Sequence, residues 1–289
     1  MTSAPLTLPA PAKLNLFLHI TGRRPDGYHT LQTLFTLLDA GDVLEFSPAD
    51  TLTLAAPDVP GPQQDNLVWR AASLLQQHTG CRQGAHIRLH KHLPAGGGVG
   101  GGSSDAATTL LGLNHLWALG CSLDELAQLG VQLGADVPVF VRGHSAFAEG
   151  IGERLTAVAL PPQDYLVVHP GVPVATAQIF NHRELTRNTP VSTVAAFLEP
   201  ATRRAFHNDC EPVVRQLFSA VDQAMTWLEK EVGESHLTGT GACVFAPVTD
   251  RQSAATLLAG LPPRWTGFVA RSCAVSPLHQ ALGVHLPAY

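Results

Sequence analysis

The run PAGGGVGGGSSDAATTL, residues 94–110, places six glycines within the seven positions 96–102. Glycine loses more backbone entropy on ordering than any other residue, so a run this dense is either a flexible connector or a backbone built for close approach. Connectors join modules and are bordered by polar sequence. This run instead follows the alternating stretch HIRLHKHL (86–93). It leads into residues 106–117, which have helical composition with Leu110, Leu111 and Trp117 as apolar anchors. A loop entering a helix amino terminus exposes unpaired N–H groups beside the positive end of the helix dipole, and glycines let an anion reach them. Each such bond to a charged acceptor is worth about 1.5–3 kcal/mol, so a few can hold a triphosphate without a lysine in the loop.

Two familiar phosphate loops are excluded by context. The P-loop ends in Gly-Lys-Ser/Thr, whereas this run ends in Gly-Ser-Ser with no lysine between 92 and 110. Gly96, Gly98 and Gly101 formally match the dinucleotide fingerprint, as any glycine run does. The acid that fingerprint requires about 20 residues on should end a second strand. Here Asp124 and Glu125 fall in a helix-capping box begun by Ser122.

Along the rest of the chain, the first eleven residues are rich in Pro and Ala and are expected to be a mobile tail. KLNLFLHI alternates, with Leu14, Leu16, Leu18 and Ile20 on one face and Lys13, Asn15, Phe17 and His19 on the other, as a strand does. Pro25-Asp26-Gly27 is a turn, and TLFTLLDAGDVLEF reads as two strands around Ala40-Gly41-Asp42. Asp65-Asn66 begins a helix with Leu67, Ala71, Leu74 and Leu75 on one side. Pro161-Pro162 separates a second half that opens with the strand YLVVH. It continues with a helix over 208–231, a strand ending in ACVFA, a helix after Asp250 and a strand near GFVARSCAV. The pattern predicts an α+β chain in two domains, 1–158 and 159–289.

Composition narrows the function. Eighteen basic and 23 acidic residues give a formal charge of −5 with no block of like charge, which argues against a phosphate-driven nucleic-acid binder. No charge-free apolar run reaches membrane-spanning length, and the amino terminus carries no secretory or transit signature. The five cysteines (81, 121, 210, 243 and 273) are scattered, so reduced thiols in the cytoplasm are expected. His86, His90 and His92 share a strand face, but Arg88 lies among them, so a solvated outer face is expected rather than a metal site. Cys243 has no base partner in sequence and is assigned no thiol chemistry.

Pro-x-Gly-Gly-Gly-x-Gly-Gly-Gly-Ser-Ser-Asp-Ala-Ala resembles the phosphate loop of the GHMP small-molecule kinases. PAKLNLFLHI, RRPDGYHTLQTLF, GADVPVF and LTGTGACVF resemble further segments of that family, in order from residue 11 to 246. The resemblance implies a two-domain GHMP kinase fold, with the glycine loop in the N-terminal domain and a ferredoxin-like C-terminal domain. In its long glycine-rich form the loop is similar to the branch that phosphorylates the 2-hydroxyl of 4-diphosphocytidyl-2-C-methyl-D-erythritol with ATP and Mg²⁺, in non-mevalonate isoprenoid synthesis.

Site roles follow from the resemblance. Pro94, Ala95, Gly96, Gly97, Gly98, Val99, Gly100, Gly101, Gly102, Ser103 and Ser104 would cradle the ATP phosphates. Ser103 or Ser104 would hold Mg²⁺ or else cap the helix, two roles the sequence does not separate. Asp136 would be the catalytic acid–base residue and Lys13 the second catalytic residue; an ammonium there favours the ionised carboxylate and a developing alkoxide. Tyr28 would stack on cytosine and His29 hydrogen-bond it, with Phe180 on the opposite side and Thr176 nearby. Asn15 would help hold the diphosphate or hydroxyl. Thr238, Gly239, Thr240 and Gly241 would close over the substrate, with threonines where the usual family motif has serines and a proline. Rival readings are a GHMP kinase for homoserine or mevalonate, which have no base to stack, and a nucleotide-binding scaffold without catalysis.

Overall fold

The computed structural model describes residues 4–284 and 286. Its frame is a pair of long antiparallel strands, β1 (Leu6–Arg23) and β2 (His29–Ala49). β1 ladders only with β2, and its outer edge pairs with no strand at Pro9 and Pro11, which lets both sit inside β1 without losing ladder bonds. The expected tail is therefore corrected from Leu6 onward: Leu8 and Ala10 are fully buried and pair with residues 42–44. Residues 1–3 of that expectation lie outside the described residues.

The turn expected at Ala40-Gly41-Asp42 is also absent, because β2 runs straight through it. At Gly41 the partner strand passes so close that a Cβ would lie 2.1 Å from the Ala10 carbonyl oxygen, so only glycine fits. Bulges at Pro11/Lys13, Asn15/Leu18 and Ile20/Gly22 redirect the side chains of β1 along its length. Leu14 consequently enters a different core from Leu18 and Ile20. Phe17, expected on the polar face, is buried instead with Leu34, Phe147 and Phe197.

On the other side of β2 lie β3 (Thr53–Ala55) and β4 (Gly84–His90), and near its start β5 (Ala146–Glu149) and β6 (Arg154–Ala157). Helices α1 (Leu67–Thr79), α2 (Gly101–Leu116), α3 (Leu123–Val131) and α4 (Val137–Arg142) supply side chains to the same core as this sheet. Asn66 caps α1, and the Ser122/Glu125 capping box opens α3, both as the sequence predicts.

The second half contains β7 (Asp164–His169), α5 (Thr176–Phe180), α6 (Val194–Leu198), α7 (Pro200–Arg203), α8 (Glu211–Leu217) and α9 (Ser219–Val232). β8 (His236–Leu237), β9 (Val244–Val248), α10 (Arg251–Ala259) and β10 (Thr266–Cys273) complete it. Its strands lie in the order β10-β7-β9-β8, all antiparallel, with helices at both crossovers, a ferredoxin-like arrangement. The single helix expected over 208–231 is broken at Phe218, whose backbone (φ −126°, ψ 88°) leaves the helical region. Arg215 spans the break by bonding Asp222 at 2.6 Å and Glu229 at 2.9 Å.

The two halves share one ten-stranded sheet, since β10 pairs with β2 at Leu37 and Leu38. The chain then returns as α11 (Pro277–Ala281), which buries Leu278 in the first core. Between the halves, the glycine loop lies against the turn at 238–243: Ala242 and Cys243 amides donate to Gly96 and Gly97 carbonyls at 3.3 and 3.0 Å. A Cβ at Gly98, whose φ is +73°, would meet the Thr238 carbonyl oxygen at 2.2 Å, while one at Gly96 (φ +66°) meets nothing within 4 Å. Gly98→Ala is therefore expected to destabilise by about 2–5 kcal/mol, strain and overpacking together, and Gly96→Ala by about 1–2 kcal/mol. Urea unfolding midpoints check the contrast, and equal losses would refute it.

Candidate active site

The glycine loop ends in Gly100 (φ +76°), the N-cap of α2, and no side chain caps that helix. Ser103 and Ser104 thus lie inside the first turn rather than capping it. The first intrahelical bond runs from the Ser104 amide to the Gly100 carbonyl, so the amides before it have no acceptor within the helix. Ser103 faces the central cavity, whereas the Ser104 hydroxyl is buried without a partner. Val99 is buried and its carbonyl accepts from the Lys13 amide at 2.9 Å, which pins the loop to β1.

That cavity has a volume of about 630 Å³, and the expected site residues Lys13, Asn15, Tyr28, His29, Gly98 and Ser103 line it. So do Asp136, Thr176, Phe180, Gly239 and Thr240. Pro94 to Gly97, Val99 to Gly102 and Ser104 form the loop's backbone and underside and do not line it; Thr238 and Gly241 stand behind Gly239 and Thr240.

At the cavity's floor the Lys13 ammonium is 3.3 Å from an Asp136 carboxylate oxygen and 2.5 Å from the Asn15 side-chain carbonyl. The ring of Phe35, which sequence reasoning missed, lies 5.3 Å from the same ammonium. Lys13 is buried while the Asp136 side chain is one-third exposed, so the cation is held fixed and the carboxylate meets whatever enters. Asp136 precedes α4 without capping it, and Pro138 in the first turn removes an amide that would otherwise compete for it. Both polar atoms of the Asn15 side chain are engaged, the oxygen by Lys13 and the nitrogen by Thr33 at 2.8 Å. Asn15 therefore orients Lys13.

At the far end, Tyr28 follows the Asp26-Gly27 turn and is 62% exposed. The Phe180 ring stacks on His29, with centroids 5.2 Å apart and planes 24° apart. Burial, then the Arg187 and Arg23 cations, hold the His29 imidazole below its ordinary pKa, so it is neutral at pH 7. Thr176 and Thr240 hydroxyls meet at 3.0 Å, joining α5 to the 238–243 turn.

A second charged group lies under the loop and was not foreseen. Lys91 bonds Asp42 and, at 2.9 Å, Asp105; Asp42 is fully buried and also accepts from the His92 and Leu93 amides at 2.6 and 2.8 Å. Burial pushes the Asp105 carboxyl up, to about 7, against the pull of Lys91. Burial alone would lower Lys91, but its two carboxylates outweigh that and leave it raised. The cluster adds no net positive charge beneath the loop, so anion attraction falls to the free amides and the α2 dipole. Among the described residues no group of three or more His, Cys, Asp or Glu is placed to hold a metal. Cys243 is buried against Gly97 and its thiol is pushed up by burial.

Comparison with known proteins agrees with this geometry. The family model for the GHMP kinases N terminal domain matches residues 66–144, and that for GHMP kinases C terminal matches 191–265. A 4-diphosphocytidyl-2-C-methyl-D-erythritol kinase from Alcanivorax borkumensis is 58% identical, covering 98% of this chain and 96% of the relative. One of the same name from Chromohalobacter salexigens is 55% identical over 97% and 95%. A crystal structure of 4-(cytidine 5'-diphospho)-2C-methyl-D-erythritol kinase superposes with a TM-score of 0.80 at 34% identity, covering 92% of this chain and 98% of that one. The chain belongs to the GHMP kinases, in the branch of the 4-diphosphocytidyl-2-C-methyl-D-erythritol kinases.

Proposed function

We propose that this chain transfers the γ-phosphoryl group of ATP to the 2-hydroxyl of 4-diphosphocytidyl-2-C-methyl-D-erythritol, releasing ADP and the 2-phosphate. The observation that carries this reading is one cavity with three parts: the edge formed by Gly98 of the loop and Ser103 of α2, the Lys13–Asp136 pair, and the His29–Phe180 slot. Residues 1–158 supply the first two, and 159–289 bring Phe180, Thr176 and the 238–241 turn. The adenine is assigned to the cleft lined by Pro60, Pro62 and Asn66, since Leu67 at the start of α1 lies beside the loop, where a Cβ at Gly102 would stand 3.3 Å from its Cδ1. Unpaired cysteines support a reducing, cytoplasmic setting, and no helix among the described residues is long and apolar enough to cross a membrane.

Phosphoryl transfer demands positioning and charge neutralisation more than covalent chemistry. Asp136 accepts a hydrogen bond from the acceptor hydroxyl and takes its proton as the new O–P bond forms and the γ P–O bond to ADP breaks. Lys13 neutralises the developing alkoxide from a fixed position; in the low-dielectric floor this attraction is far stronger than in water. The α2 amides hold the phosphate oxygens. Ser103, which faces the cavity, would offer a hard oxygen donor that fits Mg²⁺, whereas the Ser104 hydroxyl is fully buried. When bound, Mg²⁺ would supply charge neutralisation at the phosphates. His29, Tyr28 and Phe180 fix the cytosine.

The test follows ADP formation from ATP and Mg²⁺ with the cytidyl substrate, homoserine and mevalonate in parallel. ADP is expected with the cytidyl substrate alone. Asp136→Asn and Lys13→Ala should each lower kcat by about 10²–10⁴-fold while ATP still binds. Turnover of homoserine or mevalonate would discard the base slot, and normal kcat in either variant would remove that residue from the mechanism.

A further inference from the structure

Arg187 is an unusual cation among the described residues. It pairs with no carboxylate, yet every nitrogen of its guanidinium is used. Nη1 donates to the Leu185 carbonyl at 3.0 Å, and Nη2 donates to the Phe180 and His182 carbonyls at 3.0 and 2.7 Å. Nε donates to Nε2 of His29 at 3.0 Å. One side chain therefore ties the loop after α5, in the second half, to the first residue of β2 in the first half.

The last of these bonds has a chemical consequence. A guanidinium does not deprotonate in proteins and has no acceptor, so Nε2 of His29 must offer its lone pair. The neutral ring then carries its proton on Nδ1. Nδ1 has no partner among the described residues and is not sealed from solvent, and His29 lines the cavity. The imidazole is thus presented to a ligand as a donor only. Burial and the two neighbouring arginines keep a second proton off the ring.

We propose that Arg187 is a specificity-determining positioning residue: by fixing the His29 tautomer it makes the base slot select cytosine over uracil. The inference rests on the cytidyl reading of this site. Cytosine offers a lone pair at N3, which a donor accepts as partner, whereas uracil carries a proton there and would face it donor to donor. A free imidazole could shift its proton to Nε2 and accept from uracil. Arg187 removes that option, and through the Phe180 carbonyl it also holds the stacking ring at its place over His29.

The proposal is tested in two arms. Nitrogen NMR of the protein with labelled histidine should show, near pH 7.5, a protonated Nδ1 and a lone-pair Nε2 for His29. The other tautomer, or a freely exchanging mixture, overturns the proposal. In the second arm, kcat/KM is compared for the cytidyl substrate and its uridyl analogue. The native chain should favour cytidyl by about a hundredfold or more, and Arg187→Met should narrow that ratio by at least about tenfold with the KM for ATP unchanged. Arg187→Lys, which keeps an always-protonated donor, should recover part of the ratio. An unchanged ratio in folded Arg187→Met overturns the proposal. The NMR arm needs no substrate: a chain that turned over neither compound would fail the functional reading, while the tautomer would still decide this one.

Discussion

The site depends on one buried hydroxyl. Thr238 Oγ1 accepts the Asn15 amide at 3.1 Å and donates to the Gly98 carbonyl at 3.1 Å, so a single atom joins β1, the glycine loop and the second half. Asn15 in turn orients the Lys13 ammonium, and a Cβ at Gly98 would collide with the Thr238 carbonyl oxygen at 2.2 Å. A polar network of this kind is worth most in a dry interior, where each unsatisfied member would be costly. Thr238 is fully buried, so its methyl as well as its hydroxyl is accommodated in the interior.

The electrostatics of the site then divide by region. Beneath the loop, Asp42 and Asp105 leave Lys91 no net positive charge to offer, so an anion at the loop would meet backbone amides, which carry no mobile charge and need no reorganisation. At the floor, Lys13 is a buried cation, and Asp136 stands beside it with access to the cavity. At the far end, Arg187 spends its charge on carbonyls and on His29, converting a titratable ring into a fixed donor. Each region thus holds its donors in place before a ligand arrives, which is the condition for charge stabilisation without reorganisation.

How much of this was legible follows the range of the interactions. The Asn66 cap, the Ser122/Glu125 box and the start of a helix after Asp250 are local patterns, and each was readable from the nearby sequence alone. The loop's role as a helix entrance was readable for the same reason. Asp42 and Arg187 were not, because their partners Lys91 and His29 lie 49 and 158 residues away and no periodicity announces them. The Pro/Ala composition of residues 6–11 imitates a tail; only the edge position of β1 makes it a strand. The break at Phe218 interrupts an apolar pattern that itself continues, so periodicity read one helix where the backbone forms two.

The most direct test of the interlock is the kcat and the KM for ATP of Thr238→Val, which removes the hydroxyl and nearly preserves the shape. With Asn15 and Gly98 released from their common partner, kcat should fall by about 10²-fold and the KM for ATP should rise, since misplacement of an ångström at a reacting centre costs that much. Native values for both constants, in a folded Thr238→Val protein, would contradict the account.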